Sequence, residues 1–156
     1  MIPIKIESAQ ISDIPAIIEI HRECIIKINA KYYPNKVIKE WLEPITEENI
    51  KKQFINSSWI VAKAEDKIIG FAQFSFKESE IYQINASPDH KNQGVGKKLY
   101  GYIENEFKNK KIDRISLYST HNAVKFYKKM GFVRTGTEKL KLKNEYFEAI
   151  KMEKIL

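Results

Sequence analysis

Cysteine occurs once in this chain, as Cys24. That excludes an intrachain disulfide and fits a reducing compartment. Cys24 and the histidines at 21, 90 and 121 show no metal-ligand spacing, so no metal is expected. Glycine and proline are also scarce, six and five among 156 residues, and they gather into no linker. With no internal repeat or low-complexity stretch either, residues 1–156 read as one domain. No apolar run approaches the ~20 residues that a membrane span needs. Met1-Ile2-Pro3-Ile4-Lys5-Ile6 alternates like a strand and lacks the apolar block and cleavage site of a signal peptide. These absences predict a cytoplasmic protein without a membrane partner.

The chain is 43% hydrophobic and 30% charged, an ordinary globular mixture. A domain of this size buries roughly 70% of its unfolded surface, enough for a real core. Lysine and arginine exceed the acids to give a formal charge of +7. The lysines are spread along the chain and no compact nucleic-acid motif accompanies them, so no nucleic-acid partner is expected. A basic surface equally suits an anionic cofactor.

Residues 2–7 predict a first strand. Ser12 offers a helix N-cap with Asp13 in the first turn, and Ile14, Ile17, Ile18, His21, Ile25 and Ile28 recur at helical spacing. Tyr32-Tyr33-Pro34 breaks that helix, Pro34 opens another carrying Val37, Ile38 and Trp41, and Thr46 caps a third. A hairpin follows, from Trp59 to Ala64 and Lys67 to Phe76, then a strand from Glu80 to Ala86. Val95, Leu99, Ile103 and Phe107 mark a helix beginning at Gly94. Ile112–Ser119 is strand-like, Asn122–Met130 a short helix stopped by Gly131, and strands near 133–142 and 146–154 close the chain. That order predicts a mixed α/β architecture, with helices flanking a central sheet of about seven strands.

The chemistry concentrates where a strand meets a helix through Ser87-Pro88-Asp89-His90 and Lys91-Asn92-Gln93-Gly94-Val95-Gly96. A helix N-terminus offers unpaired N–H groups and the positive end of its dipole. Two glycines allow a sharp turn and close approach to a phosphate, and Lys91, Lys97 and Lys98 add positive charge. The residues fit neither G-x-x-x-x-G-K-[ST] nor the dinucleotide G-x-G-x-x-G, whose last glycine falls two positions late at Gly101. Alone, such a turn is also compatible with a plain tight loop. After one more strand comes Asn122-Ala123-Val124-Lys125-Phe126-Tyr127, ending in Gly131-Phe132.

These two segments, in this order and at this distance, resemble the GNAT superfamily of acyl-CoA-dependent N-acetyltransferases. Lys-Asn-Gln-Gly-Val-Gly is similar to the family's [Q/R]-x-x-G-x-[G/A] motif, with Lys91 standing where Gln or Arg is usual. Lysine meets phosphate as a point charge, without arginine's fork. The N-terminal helices resemble a small-molecule branch more loosely, through Tyr32-Tyr33 and Trp41. The resemblance implies a mostly antiparallel sheet with splayed central strands, acetyl-CoA as co-substrate, and a small-molecule amine as acceptor. It further implies that the backbone of Ile84, Asn85 and Ala86, at a strand bulge, pairs with the pantetheine arm and stabilises the oxyanion. On the same pattern the amides of Asn92, Gln93, Gly94, Val95, Gly96 and Lys97 hold the pyrophosphate. Asn122 reaches the cofactor arm, and Tyr127 protonates the departing thiolate. The family's late strands often serve as dimer edges, which implies a homodimer.

An ammonium must lose a proton before attacking a thioester, so a carboxylate acting directly or through water helps. Glu80 and Glu78, just before the cofactor strand, are the candidates, and their spacing of two puts both on one strand face. They read equally as solvated strand-end charges. Tyr33 and Trp41 either line the acceptor pocket or simply pack. His21 reads as a half-buried imidazole and Cys24 as a small core residue. The sequence leaves three alternatives open: a protein N-terminus or lysine as acceptor, a non-catalytic acyl-CoA-binding module, and a basic nucleic-acid binder.

Overall fold

The computed structural model describes residues 3–156, so Ile2, the expected start of the first strand, lies outside the described residues. Strand β1 (Ile4–Ser8) leads into helices α1 (Ile14–Lys27), α2 (Asn35–Leu42) and α3 (Glu47–Asn56). Strands β2 (Ser58–Ala64), β3 (Lys67–Ser75) and β4 (Glu80–Ala86) follow, then α4 (Val95–Asn109), β5 (Arg114–Ser119) and α5 (Val124–Lys129). Strands β6 (Val133–Lys141) and β7 (Tyr146–Ile155) end the chain.

All seven strands form one sheet in the order β1-β2-β3-β4-β5-β7-β6. Every neighbouring pair is antiparallel except β4 with β5. That exception follows from connectivity, because α4 carries the chain from the end of β4 back to the start of β5, and a parallel pair needs such a crossover. Alternate residues of β2 enter different cores: Ile60, Ala62 and Ala64 join the cluster under α4, whereas Trp59 and Val61 join the cluster under α1–α3. The period of two thus assigns one helical layer to each face.

The four apolar residues read at helical spacing in α4 are all buried, Leu99, Ile103 and Phe107 completely. Burial of each is worth about 1.5–3 kcal/mol, which fixes the helix on the sheet. Thr46 caps α3 as expected, its Oγ1 accepting from Asn49 N at 3.2 Å. The start of α1 differs. Residues Ile11–Asp13 form a single 3-10 turn, and Asp13 Oδ2 reaches back to accept from Gln10 N at 2.8 Å, so Ser12 is no cap. The buried stripe of α1 is Ile14, Ile17, Ile20, Cys24 and Ile25, with Ile20 and Cys24 in place of the expected Ile18, His21 and Ile28. A run so rich in isoleucine supports more than one apolar face, and packing against β3 and β4 selects between them.

Strand β5 begins at Arg114 rather than Ile112, because Lys111 takes φ 58° and Ile112 N still bonds Phe107 O at 3.0 Å. The short helix loses its first residues to a 3-10 turn over His121–Ala123 and ends at Lys129, before Gly131 at φ 98°. Strand β7 runs on to Ile155.

Candidate active site

Strands β4 and β5 pair at Glu80 with Ser116 and at Ile81 with Leu117, and the register ends there. The cause lies on the other edge of β4. Its register with β3 steps from Gln73–Gln83 to Phe74–Ile81, leaving Tyr82 as an extra, bulged residue. A bulge bends the strand that carries it. The bulge expected at Ile84–Ala86 therefore sits at Tyr82, and the stretch after it is the part turned away from β5.

The divergence opens a cleft of about 440 Å³ lined by Glu80 to Asn85 on one side and Tyr118 to Thr120 on the other. Asn122 and Tyr127 also line it, as do Trp41 and His21 from the N-terminal helices. Asn122 Oδ1 is buried without a hydrogen-bond partner among the described residues. A buried acceptor left bare is costly, and a ligand N–H would satisfy it. Together with the free backbone edge of β4, it fits a cofactor arm carrying amide groups.

Tyr127 is 6% exposed and packs against Phe126 and Phe132 at ring distances of 5.2 and 5.7 Å. Burial pushes its phenol well above the ordinary tyrosine value, so the hydroxyl keeps its proton. Glu80 is likewise raised above the usual carboxylate value, by partial burial first and by the charge of Glu78 second. Glu78 itself lies in the turn between β3 and β4, exposed and off the strand. Ser79 at φ 52° interrupts the extended alternation, so a spacing of two does not put both carboxylates on one strand face. The structure gives Glu80 to the cleft and leaves Glu78 outside its lining, as a neighbouring charge.

The turn before α4 is built by Gly94, which caps the helix at φ 79°. The first i→i−4 bond runs from Lys98 N to Gly94 O at 3.0 Å, so the N–H groups of Val95, Gly96 and Lys97 precede the ladder. Lys91, Asn92 and Gln93 are exposed before it, as are Lys97 and Lys98 after it. The two glycines have different reasons. A Cβ on Gly94 would meet nothing within 4 Å, and only its backbone angle demands glycine. A Cβ on Gly96 would come within 3.1 Å of the Phe126 ring, so that glycine lets α4 and α5 approach.

Tyr33 does not line the cleft. Its hydroxyl accepts from His121 N at 3.0 Å, and its ring packs on Trp41 at 4.9 Å, so it stands behind Trp41 and ties the α1–α2 connection to the loop before α5. Trp41 reaches the cleft and leans on Phe147 at 4.6 Å. Glu40 Oε1, one residue earlier, accepts from Asn144 N and Glu145 N at 2.7 and 2.9 Å, pinning α2 to the β6–β7 turn. His21 lies edge-on to Phe71, and desolvation pushes its pKa down to about 4, so it is neutral at ordinary pH.

Three features escaped the reading of the sequence. Cys24 is more than filler: its Sγ donates to Ala86 O at 3.2 Å, and burial holds the thiol protonated, its pKa pushed up to about 12. Gly70 stands where a Cβ would meet Val95 Cγ1 at 2.6 Å and Asn85 O at 2.9 Å, so β3, β4 and α4 converge on it. Glycine inside an apolar strand was the available signal. Gln73, 8% exposed in the same strand, anchors a chain of amide hydrogen bonds. A polar residue within Ile-Ile-Gly-Phe-Ala-Gln-Phe was its signal. Among the described residues, no group of three or more His, Cys, Asp or Glu is placed to hold a metal, and no helix is long and apolar enough to cross a membrane.

A family model described as an acetyltransferase (GNAT) domain matches residues 28–156. Spermidine N(1)-acetyltransferase of Thermoplasma acidophilum is 27% identical over 147 residues, 86% of this chain and 91% of that protein. The chain spans about half the length of two other curated relatives, the uncharacterized N-acetyltransferases ycf52 of Pyropia yezoensis (55%) and Gracilaria tenuistipitata var. liui (48%). Identity to these is 27% and 31%, over 56% and 54% of this chain. Among solved structures, the PaiA N-acetyltransferase of Thermoplasma acidophilum in complex with coenzyme A superposes with a TM-score of 0.85 at 25% identity, covering 99% of both chains. A GCN5-related N-acetyltransferase from Rhodopseudomonas palustris reaches 0.93 at 18% identity, over 100% of this chain and 98% of that one, a likeness of fold.

Proposed function

The chain belongs to the GNAT acetyltransferase family, and from that premise we propose that it moves an acetyl group from acetyl-CoA to a primary amine of a small molecule by direct attack. The observation that carries this reading is that Glu80, Asn122 and Tyr127 line one cleft, opened where β4 leaves β5. The small-molecule acceptor draws support from the spermidine-acetylating relative, and from the way α1–α3 close one side of the cleft. The lone buried Cys24 supports a cytoplasmic setting.

A thioester supplies an acyl group already activated toward amines. This chain's residues then have three tasks. The first is to hold the donor: the α4 N-terminus with Lys97 and Lys98 suits its phosphates, and the free edge of β4 with Asn122 suits its amide-bearing arm. The second is to free the nucleophile. Glu80 takes the ammonium proton directly or through water, and its raised pKa brings it nearer to that of the amine. As the C–N bond forms, β4 backbone N–H groups stabilise the oxygen that gains charge. The third is to release the sulfur. The C–S bond breaks, Tyr127, held protonated by its apolar surroundings, gives its proton to the thiolate, and the second proton that the nitrogen sheds on becoming an amide restores the phenol.

Calorimetric titration with acetyl-CoA, followed by a thiol-release assay on a panel of amines, tests the reading. Tyr127→Phe is expected to lower kcat by about 10²-fold or more, the usual contribution of a general acid, with acetyl-CoA affinity unchanged. Wild-type turnover in that variant removes Tyr127 from the mechanism. A folded wild-type protein that does not bind acetyl-CoA ends the whole proposal.

A further inference from the structure

The acceptor side of the cleft has a chemical character of its own. Asn85 Nδ2 donates to Gln83 Oε1 at 2.8 Å, and Gln83 Nε2 donates to Gln73 Oε1 at 2.9 Å. Gln73 Nε2 in turn donates to Ser57 Oγ at 3.0 Å and to Gln53 Oε1 at 3.3 Å. Four carboxamides thus run from the cofactor strand, across β3, to the end of α3, every bond pointing the same way. Such a chain polarises itself, each bond strengthening the next. Its ends differ: the Asn85 oxygen is left to accept, and the Gln53 amide is left to donate.

All four of these amides line the cleft, with the neutral His21 beside them. Among the described lining residues Glu80 is the one carboxylate, and neither lysine nor arginine is present. A carboxylate is already needed to take the proton of the reacting amine. A second ammonium on the acceptor would find no second carboxylate in the described lining, Glu78 and Glu138 standing outside it, and an acceptor carboxylate would find no cation there. Burying either unpaired is strongly unfavourable. A neutral group that both donates and accepts is matched by the amide chain, and the aromatic side chains of Trp41 and Phe147 bound the same space.

We infer that the acceptor is a monoamine whose tail carries a neutral hydrogen-bonding group, a carboxamide or its equivalent, recognised by the Asn85–Gln83–Gln73–Gln53 chain. This rests on the acetyltransferase reading and narrows it to a substrate class. Gln83 and Gln73 are then specificity-determining residues, and the acceptor differs from the polyamine named for the Thermoplasma relative.

The test uses the full chain with acetyl-CoA and length-matched acceptors: 4-aminobutanamide, 4-aminobutanoate and 1,4-diaminobutane, with the six-carbon set and spermidine alongside. The amide is expected to exceed both charged partners of its length in kcat/KM by about tenfold or more, since a site built for hydrogen bonds rejects groups that leave them unmade. Gln83→Glu, which sets a carboxylate into the chain, is expected to move the diamine-to-amide ratio by about tenfold toward the diamine. Equal or better turnover of a diamine, spermidine or amino acid by the wild type overturns the inference, whatever the variant does. So does a lack of turnover with every amide while acetyl-CoA binds normally, and that result leaves the acetyltransferase reading standing. Absence of acetyl-CoA binding removes both.

Discussion

The Glu80 carboxyl titrates above its ordinary value because it is partly buried and because Glu78 lies near it. The folded protein therefore binds this proton more tightly than the unfolded chain does. Its contribution to stability is fully present below the unfolded pKa, for which 4.5 is the reference, and is lost as pH rises through the raised folded value. At neutral pH the ionised Glu80 is thus a net cost to the fold, kept because the proposed reaction needs a base. Glu80→Gln is expected to raise the melting temperature at pH 7 to 8, with the gain fading as pH falls into the carboxylate range. The same variant should lose about 10²-fold in kcat/KM near neutrality, the scale of a general base, and recover part of it as pH approaches the ~10 at which the amine deprotonates unaided. Melting curves and rate profiles on one preparation decide this. A variant less stable at pH 7 with undiminished turnover would make Glu80 an ordinary surface charge.

Gly70 links three elements, and its replacement is a test of how they hold the cofactor strand. Val95 is the first residue of α4 and Asn85 lies near the end of β4, so a Cβ between them forces the α4 turn and the end of β4, both proposed to hold the cofactor, apart together. Val95 is a stiff β-branched side chain and Asn85 O is backbone, so neither gives way cheaply. Gly70→Ala is expected to destabilise the protein by about 1–3 kcal/mol, the range for overpacking, and to weaken acetyl-CoA binding. Gly94→Ala meets open space instead, and its cost of about 1–2 kcal/mol comes from the left-handed backbone alone. Denaturant titration and calorimetry of the pair check this, and an undisturbed Gly70→Ala would mean that β4 is positioned by something else. The same contrast explains what could be read from the chain. Helix α4 and the sharp turn at Gly94 were legible because apolar spacing and a glycine-bearing turn are local facts. Gly70 was not, because its reason lies in Val95 and Asn85, distant in sequence. The bulge at Tyr82 and the turn at Ser79 escaped for a similar reason: strand alternation gives the faces of a strand and not the residue at which pairing slips.

Across the whole molecule, lysines and arginines together outnumber acids enough to give a charge of +7, yet the proposed acceptor side of the cleft holds no lysine or arginine among its described lining residues. The positive charge stands instead outside the cleft and around the α4 turn, where Lys91, Lys97 and Lys98 are exposed. The family was legible because both motifs lie on continuous stretches of chain. The proposed acceptor site was not, because it draws on α1–α3, β3, β4 and β7, and no single stretch carries its pattern. This division predicts that the two substrates respond differently to salt. The anionic donor is drawn by a field that ions screen over about 10 Å at 0.1 M, whereas a neutral-tailed monoamine, once inside, is held mainly by hydrogen bonds. Raising salt from about 0.05 to about 0.5 M should weaken acetyl-CoA binding several-fold while moving the Michaelis constant for the aminobutanamide acceptor by about twofold or less. Lys97→Ala with Lys98→Ala should flatten the first dependence and leave the second alone. Spermidine, a polycation approaching a positive molecule, should gain from added salt where the donor loses. Equal salt sensitivity of donor and amide acceptor would show that the surface lysines act on both alike, and that charge does not separate the two halves of the site.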